Sequence, residues 1–348
     1  MVGSLDSVPS LRTAVATLLT DPQDVALAQS IMGTADVDAI AMRVEGYVHD
    51  MFGHAVVGCP LFSQSVGAIF ILDLGEDRIV LKAHAVDGGR PRAAFGSLRE
   101  LEAVYDVQTR FADHGWPCAR VLRAPRPWPG GAVAAMTFLD APAAADPHTP
   151  QVRRAMAEAL AESVTLAESF PPPEALPRAK LAEGSVFGRP HNVLFDFATA
   201  GGEWIDARAR VARAVLDELP EHRVVMHTDF SAANVRVAGG RVVAVFDMDS
   251  IALTDEMRTV ASAAVHFTYL GDSPWTWPSR EEASAFVRDY VHARGRPLDD
   301  FERRRLDAAA IYALAYTARC EHSLDPRESK GAPMRSMLRA APDAYFES

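Results

Sequence analysis

Cysteine is scarce in this sequence. Three occur in 348 residues, Cys59, Cys118 and Cys320, an odd and widely spaced set. That excludes a disulfide framework and offers none of the paired spacings of a zinc site. Positive charge is also in deficit, with 35 Lys and Arg against 46 Asp and Glu and a formal net charge of −11. Nucleic-acid binding needs a basic surface, so nucleic acid is not an expected partner. No apolar run approaches the ~18 residues that suggest a membrane span. Residues 1–19 carry Asp6, Ser7, Pro9 and Arg12 in place of a basic start, apolar centre and small-residue cleavage site. A cytoplasmic protein without a membrane partner is therefore expected. No internal repeat is visible.

What is present is an ordinary globular mixture, 49% apolar and 23% charged, in a chain long enough for two lobes. Residues 10–54 show helical spacing of apolar positions, punctuated by Asp21-Pro22 and Gly33. From Gly58 the pattern changes. Val66–Leu72 and Arg78–Lys82 read as strands joined at Gly75-Glu76-Asp77. Ser97-x-x-Glu100 has the form of a capping box and opens a predicted helix over 97–114, stopped by Gly115 and Pro117. Two further strands, 120–122 and 133–138, flank a Pro-rich turn at 125–131. The small, Pro-rich stretch 141–150 reads as a hinge, and the chain is mainly helical from Gln151. One hairpin interrupts it, Val235–Val237 and Val242–Phe246 around Gly239-Gly240.

The hairpin carries the most informative pattern: His227-Thr228-Asp229, then Asn234 opening the first strand, then Asp247-Met248-Asp249 closing the second. The turn between the strands brings their outer ends together, so carboxylates and an amide collect in one patch. Phosphoryl transfer needs that set. Magnesium takes hard oxygen ligands, and a separate carboxylate must orient the attacking hydroxyl and accept its proton.

His-x-Asp, an Asn five residues after the Asp, a short hairpin and a further Asp resemble the catalytic loop and metal-binding Asp of the protein-kinase-like superfamily. Asp-x-Asp after the hairpin resembles the aminoglycoside phosphotransferase branch and its small-molecule kinase relatives. The resemblance implies an α+β, bilobal protein-kinase-like fold. A smaller antiparallel-sheet lobe would span residues 1–139, with extra helices at 10–54, and a helical lobe residues 140–348. It implies Asp229 as catalytic base, Asn234 and Asp247 as magnesium ligands, Asp249 as a further acidic group near the metal or the substrate, and His227 as a brace. The implied cofactors are ATP or GTP with magnesium, and the implied partner is a small molecule bearing a hydroxyl. It also implies that Lys82 contacts the α- and β-phosphates and pairs with a helix glutamate.

At about 100° per residue, Leu101, Val104, Val107, Gln108 and Phe111 share one helix face with Glu100, while Glu102 points away. A carboxylate on a buried stripe needs a partner, and Lys82 is the available cation. The competing reading has Glu100 closing the helix cap. The phosphate-covering loop is expected near Leu61–Gly67, with Ser63, Gln64 and Ser65 at the nucleotide, although it holds one glycine where protein kinases have three. Trp275, Trp277, Asp255, Glu256, Asp272 and Arg319–His322 are available for acceptor recognition, with packing the favoured reading for each. Two rival classes are a non-catalytic kinase-like binding module and a hydrolase holding a transition metal on His227, Asp229, Asp247 and Asp249.

Overall fold

The computed structural model describes residues 8–86, 95–188, 190, 195–271 and 277–346. The chain forms two compact units, Met1–Asp140 with Pro173–Pro177, and Ala141–Pro172 with Arg178–Ser348.

The first unit begins with three helices, α1 (Leu11–Leu18), α2 (Pro22–Met32) and α3 (Val37–Phe52). Each opens on a side-chain cap: Ser10 accepts from the Thr13 N–H, Asp21 from Gln23 and Asp36 from Ala39. Five strands follow, β1 (Gly58–Gln64), β2 (Gly67–Asp73), β3 (Arg78–Ala85), β4 (Val121–Trp128) and β5 (Gly131–Thr137), with α4 (Leu98–Asp113) between β3 and β4. They build one antiparallel sheet in the order β1-β2-β3-β5-β4. The central strand β3 alternates. Ile79, Leu81, Ala83 and Ala85 join the core formed with Val15, Ile31, Met32, Ile40, Val44 and Val48 of the three helices. Lys82 and His84 therefore take the opposite face, where the His84 Nε2 meets the Tyr105 hydroxyl of α4 at 2.9 Å.

By length and composition Pro22–Phe52 is apolar enough to cross a membrane. In the structure it is two helices, α2 and α3, broken at Gly33; Ile31, Met32, Ile40, Val44 and Val48 lie in the core with the sheet, while Val25 and Met42 are exposed. The turn between β4 and β5 closes against the end of α2. Gly130 sits at φ 106°, and a Cβ there would strike the backbone of Ile31, Met32 and Gly33.

Two expectations change here. The Pro-rich turn expected at 125–131 shrinks, because β4 runs through Pro125 and Pro127 to Trp128. It is an edge strand with two register shifts, where proline is tolerated. The loop expected at Leu61–Gly67 is mostly strand. Ser63 pairs with Ile69 and Gln64 with Ala68, leaving Ser65-Val66 as the turn, closed by the Ser65 N–H to the Gly67 carbonyl at 2.8 Å. With one glycine the chain follows the ladder to its end.

The second unit is mainly helical: α5 (Pro150–Ala167), α6 (Glu203–Glu218), α7 (Glu256–His266), α8 (Arg280–Arg294), α9 (Asp300–Leu324) and α10 (Pro333–Ala340). Two short antiparallel pairs interrupt it. Strands β7 (Val235–Ala238) and β8 (Arg241–Val245) form the expected hairpin, while β6 (Arg223–His227) pairs with β9 (Ile251–Asp255), a partner the sequence reading missed. Buried charge fixes β9 and α7 in place. Asp255 accepts from Arg305 at 2.7 Å, both side chains being about 2% exposed. Glu256 accepts from the Tyr290 hydroxyl at 2.6 Å and from Arg294 at 3.1 Å, and meets the His222 Nδ1 at 2.8 Å.

Candidate active site

The site is built where β6 ends. His227 pairs with Ile251, and both the N–H and the hydroxyl of Thr228 donate to the Ser250 carbonyl, at 3.0 and 2.8 Å. The loop leaving β6 is thereby tied to the turn entering β9. The buried His227 ring locks the arrangement from below. Its Nε2 donates to the Phe246 carbonyl at 2.9 Å, and its Nδ1 accepts the Asp229 N–H at 3.2 Å. These partners set the tautomer, with the ring hydrogen on Nε2. The bracing role expected of His227 is the one it performs.

Asp229 follows, exposed, with Phe230 buried beside it as an anchor. A turn closes between the Asn234 N–H and the Ser231 carbonyl at 2.9 Å. The Ala232 and Ala233 N–H groups donate to the carbonyls of Phe267 and Tyr269, at 2.9 and 2.7 Å. Asn234 then turns back. Its Nδ2 donates to the Asp229 carbonyl and to the Asp229 Oδ2, both at 2.9 Å. The amide nitrogen is occupied by Asp229, so the amide oxygen is the end available to a cation.

The register of the β7–β8 hairpin brings up the last carboxylates. Val235 lies opposite Val245, and the Phe246 N–H donates to the Asn234 carbonyl at 2.8 Å. Asp247 is the next residue and adopts φ 56°, ψ 41°, a left-handed conformation uncommon for a residue with a Cβ. It is held there by Ser250, whose hydroxyl donates to the Asp247 Oδ2 at 3.2 Å and whose N–H donates to its carbonyl at 2.9 Å. Asp249 sits in a 3-10 turn, Met248–Ser250. A carboxylate at Asp247 and an amide oxygen at Asn234, on residues whose backbones the hairpin register brings close, are hard-oxygen donors that fit magnesium, which takes one or two protein oxygens together with phosphate and water. Among the described residues no group of three or more His, Cys, Asp or Glu gathers as a metal cluster. Both His227 ring nitrogens are engaged by backbone, so this structure does not present His227 as a metal ligand.

The first unit holds the nucleotide-side candidates. Lys82 is 6% exposed on β3, between Ile69 and Ala134 in the ladder. The α4 phasing is as expected. Leu101, Val104, Val107, Gln108 and Phe111 are buried and Glu102 is exposed. Glu100, however, closes the helix start. Its N–H donates to the Ser97 hydroxyl at 3.2 Å, and its carboxylate accepts from the Gly96 N–H at 2.7 Å. The capping alternative, in place of an ion pair with Lys82, is the contact this structure shows. Ser63 and Ser65 are exposed. Gln64 turns to α2, its Nε2 donating to the Asp24 carbonyl at 2.6 Å.

The residues weighed for acceptor recognition are mostly structural. Asp255 and Glu256 are in the buried ion network. Arg319 donates to the carbonyls of Thr199 and Phe197 and pairs with Asp206. Burial pushes the Cys320 thiol up to about 12. His322 is engaged on both nitrogens, by the Ala200 carbonyl and by Arg335, so Cys320 and His322 are not a metal pair. Trp277 stacks on Tyr269 at 6.0 Å. Asp272 and Trp275 lie outside the described residues.

Residues 70–311 match the model of the phosphotransferase enzyme family, APH. The chain belongs to that family. The matched span of this phosphotransferase contains Lys82, Glu100, Asp229, Asn234, Asp247 and Asp249, and leaves out α1–α3 and β1. No curated protein matches its sequence. Similar solved structures include an amicoumacin kinase with AMP-PNP and Ca2+, at 11% identity and TM-score 0.65, covering 89% of this chain and 98% of that one. A microcompartment-associated aminopropanol kinase is similar at 14% identity and TM-score 0.59, covering 87% and 95%. The aminoglycoside phosphotransferase APH(2")-IIIa, solved with GDP and kanamycin, is similar at 12% identity and TM-score 0.54, covering 86% and 98%. At these identities the likeness is one of fold, and it establishes the α+β, bilobal kinase-like architecture.

Proposed function

We propose that this phosphotransferase is a magnesium-dependent small-molecule kinase, moving the γ-phosphate of ATP or GTP to an alcohol. The observation that carries the reading is the Asn234 amide bound to the Asp229 Oδ2 at 2.9 Å, with Asp247 brought alongside by the hairpin register. Asn234 occupies the Oδ2, so the Oδ1 of exposed Asp229 is the oxygen that faces an acceptor hydroxyl. Asp229 orients that hydroxyl and takes its proton as the acceptor oxygen bonds to the γ-phosphorus. The bond from the γ-phosphorus to the bridging oxygen breaks, and a nucleoside diphosphate leaves. Asn234 and Asp247, with Asp249 nearby, would hold magnesium, which supplies charge neutralisation at the phosphate oxygens. Lys82 would hold the α- and β-phosphates. Glu100 would pair with Lys82 only after leaving the Gly96 N–H.

The acceptor is a polyol, an amino alcohol or a hydroxylated antibiotic. The similarity in fold to kinases of amicoumacin, kanamycin and aminopropanol supports both an antibiotic and a metabolic acceptor. A screen of hydroxylated metabolites and antibiotics with ATP or GTP and magnesium, read by mass spectrometry, tests the reading. A product heavier by one phosphoryl group is expected, and nucleotide binding without any product would favour a non-catalytic module.

A further inference from the structure

Arg236 was not singled out by the motif, yet its guanidinium reaches three carbonyls around Asn234. It stands on β7, two residues after Asn234. Its Nη1 lies within hydrogen-bond distance of three carbonyls, those of Ala232 at 3.0 Å, Ala233 at 3.1 Å and Val235 at 2.9 Å, which share its two hydrogens. These carbonyls bracket Asn234 on both sides. The same guanidinium lies over the Phe246 ring, its Cζ 5.2 Å from the centroid. Phe246 is the residue before Asp247, its carbonyl accepts from His227 and its N–H donates to the Asn234 carbonyl. Among the described residues no carboxylate forms an ion pair with Arg236, so its contacts are the loop carbonyls and this ring.

We propose that Arg236 is a positioning residue for the metal site, a clamp that holds the backbone around Asn234 to the residue preceding Asp247. The inference rests on the phosphotransferase reading. The physical argument is directional. A planar guanidinium fixes several carbonyls from one plane while its face rests on an aromatic ring. Those carbonyls belong to the turn that aims the Asn234 side chain. The ring belongs to the segment that delivers Asp247 in its left-handed conformation. Without the clamp the turn and the hairpin end lose a shared support, and the two oxygen ligands lose their mutual spacing. Magnesium tolerates little departure from octahedral geometry, so its binding is where that loss registers.

The test is magnesium titration of nucleotide binding, followed by calorimetry, for the parent, Arg236→Gln, Arg236→Lys and Phe246→Leu. Outer contacts of metal ligands are worth roughly 10–100-fold in metal affinity. The half-saturating magnesium for Arg236→Gln should rise by about that factor, while metal-free nucleotide affinity stays at the parent value. Turnover lost at low magnesium should return at high magnesium. Arg236→Lys keeps the charge without the planar fork and should fall between. Phe246→Leu keeps every backbone contact of that residue, removes only the ring, and should shift in the same direction. If Arg236→Gln fails to fold, Arg236→Lys and Phe246→Leu carry the test. Folded variants with the parent's magnesium dependence would overturn the clamp and leave the kinase reading standing, even with lowered melting temperatures. A parent that binds no magnesium nucleotide would overturn both.

Discussion

His227 and Phe246 lie nineteen positions apart in the sequence and 2.9 Å apart in space, imidazole Nε2 against carbonyl oxygen. The same ring holds the Asp229 N–H on its other side. One side chain therefore sets Asp229, the proposed base, and the residue before Asp247, the proposed metal ligand, in a common frame. Replacing His227 by Ala should leave nucleotide affinity within a few-fold and reduce turnover by ~10²-fold, the scale of a misplacement of about 1 Å. Single-turnover kinetics beside calorimetry separates the two effects. Loss of nucleotide affinity with an unchanged chemical step would contradict the bracing role.

Gln64 links the end of β1 to α2 through the Asp24 carbonyl at 2.6 Å. The turn that follows it, Ser65-Val66, is the segment proposed to cover the phosphates. Gln64→Ala should cost no more than ~1.5 kcal/mol of stability, the worth of one hydrogen bond. Nucleotide affinity should fall several-fold as the turn loosens. Denaturant unfolding and nucleotide titration check the two parts, and an unchanged affinity would remove α2 from nucleotide binding.

Glu256 gives an acid-side prediction. Burial alone would raise its pKa. The Tyr290 hydrogen bond, the Arg294 charge and the His222 contact outweigh burial, and the net direction is down. A carboxylate held below its unfolded value of about 4.3 contributes stability that is present above that pH. The contribution disappears as pH falls through the lower folded value. Glu256→Gln should be destabilised by ~1–3 kcal/mol at neutral pH, because a neutral amide replaces the buried carboxylate that Arg294 and Arg296 face, while Arg294 keeps Glu168 at 2.7 Å. The gap between parent and variant should narrow as pH drops below about 4. Urea unfolding across that range reads the gap, and a gap that widens toward acid would contradict the sign.

The catalytic patch was legible in the sequence because its parts are local. His227, Asp229, Asn234 and Asp247 lie within one loop and hairpin, and the Gly239-Gly240 turn fixes which ends meet. The face of α4 followed from periodicity, since that helix buries one side. What stayed hidden depends on distant partners. The β6–β9 pairing joins segments separated by the whole hairpin. Glu100 had two chemically reasonable partners, and spacing alone could not choose the Gly96 N–H over Lys82. Pro125 and Pro127 read as a turn because an edge position is a property of the sheet and not of the segment. Arg236 looked like an ordinary strand residue. Its one sequence signal is a long cation two positions after the Asn, beside a hairpin that ends on Phe246.

The central claim is the division of labour between Asp229 and Asp247, and calorimetric titration of magnesium nucleotide into Asp229→Asn and Asp247→Asn tests it most directly. In the proposed reading Asp229 faces the acceptor and is not needed to hold nucleotide. Asp229→Asn should keep affinity within a few-fold of the parent while turnover on the identified acceptor falls by ~10²–10⁴. Asp247→Asn removes a charged oxygen ligand from a hard cation. It should lose magnesium-dependent nucleotide affinity and turnover together, with partial recovery at high magnesium or with manganese. Loss of nucleotide binding in Asp229→Asn, with binding and turnover intact in Asp247→Asn, would contradict the account.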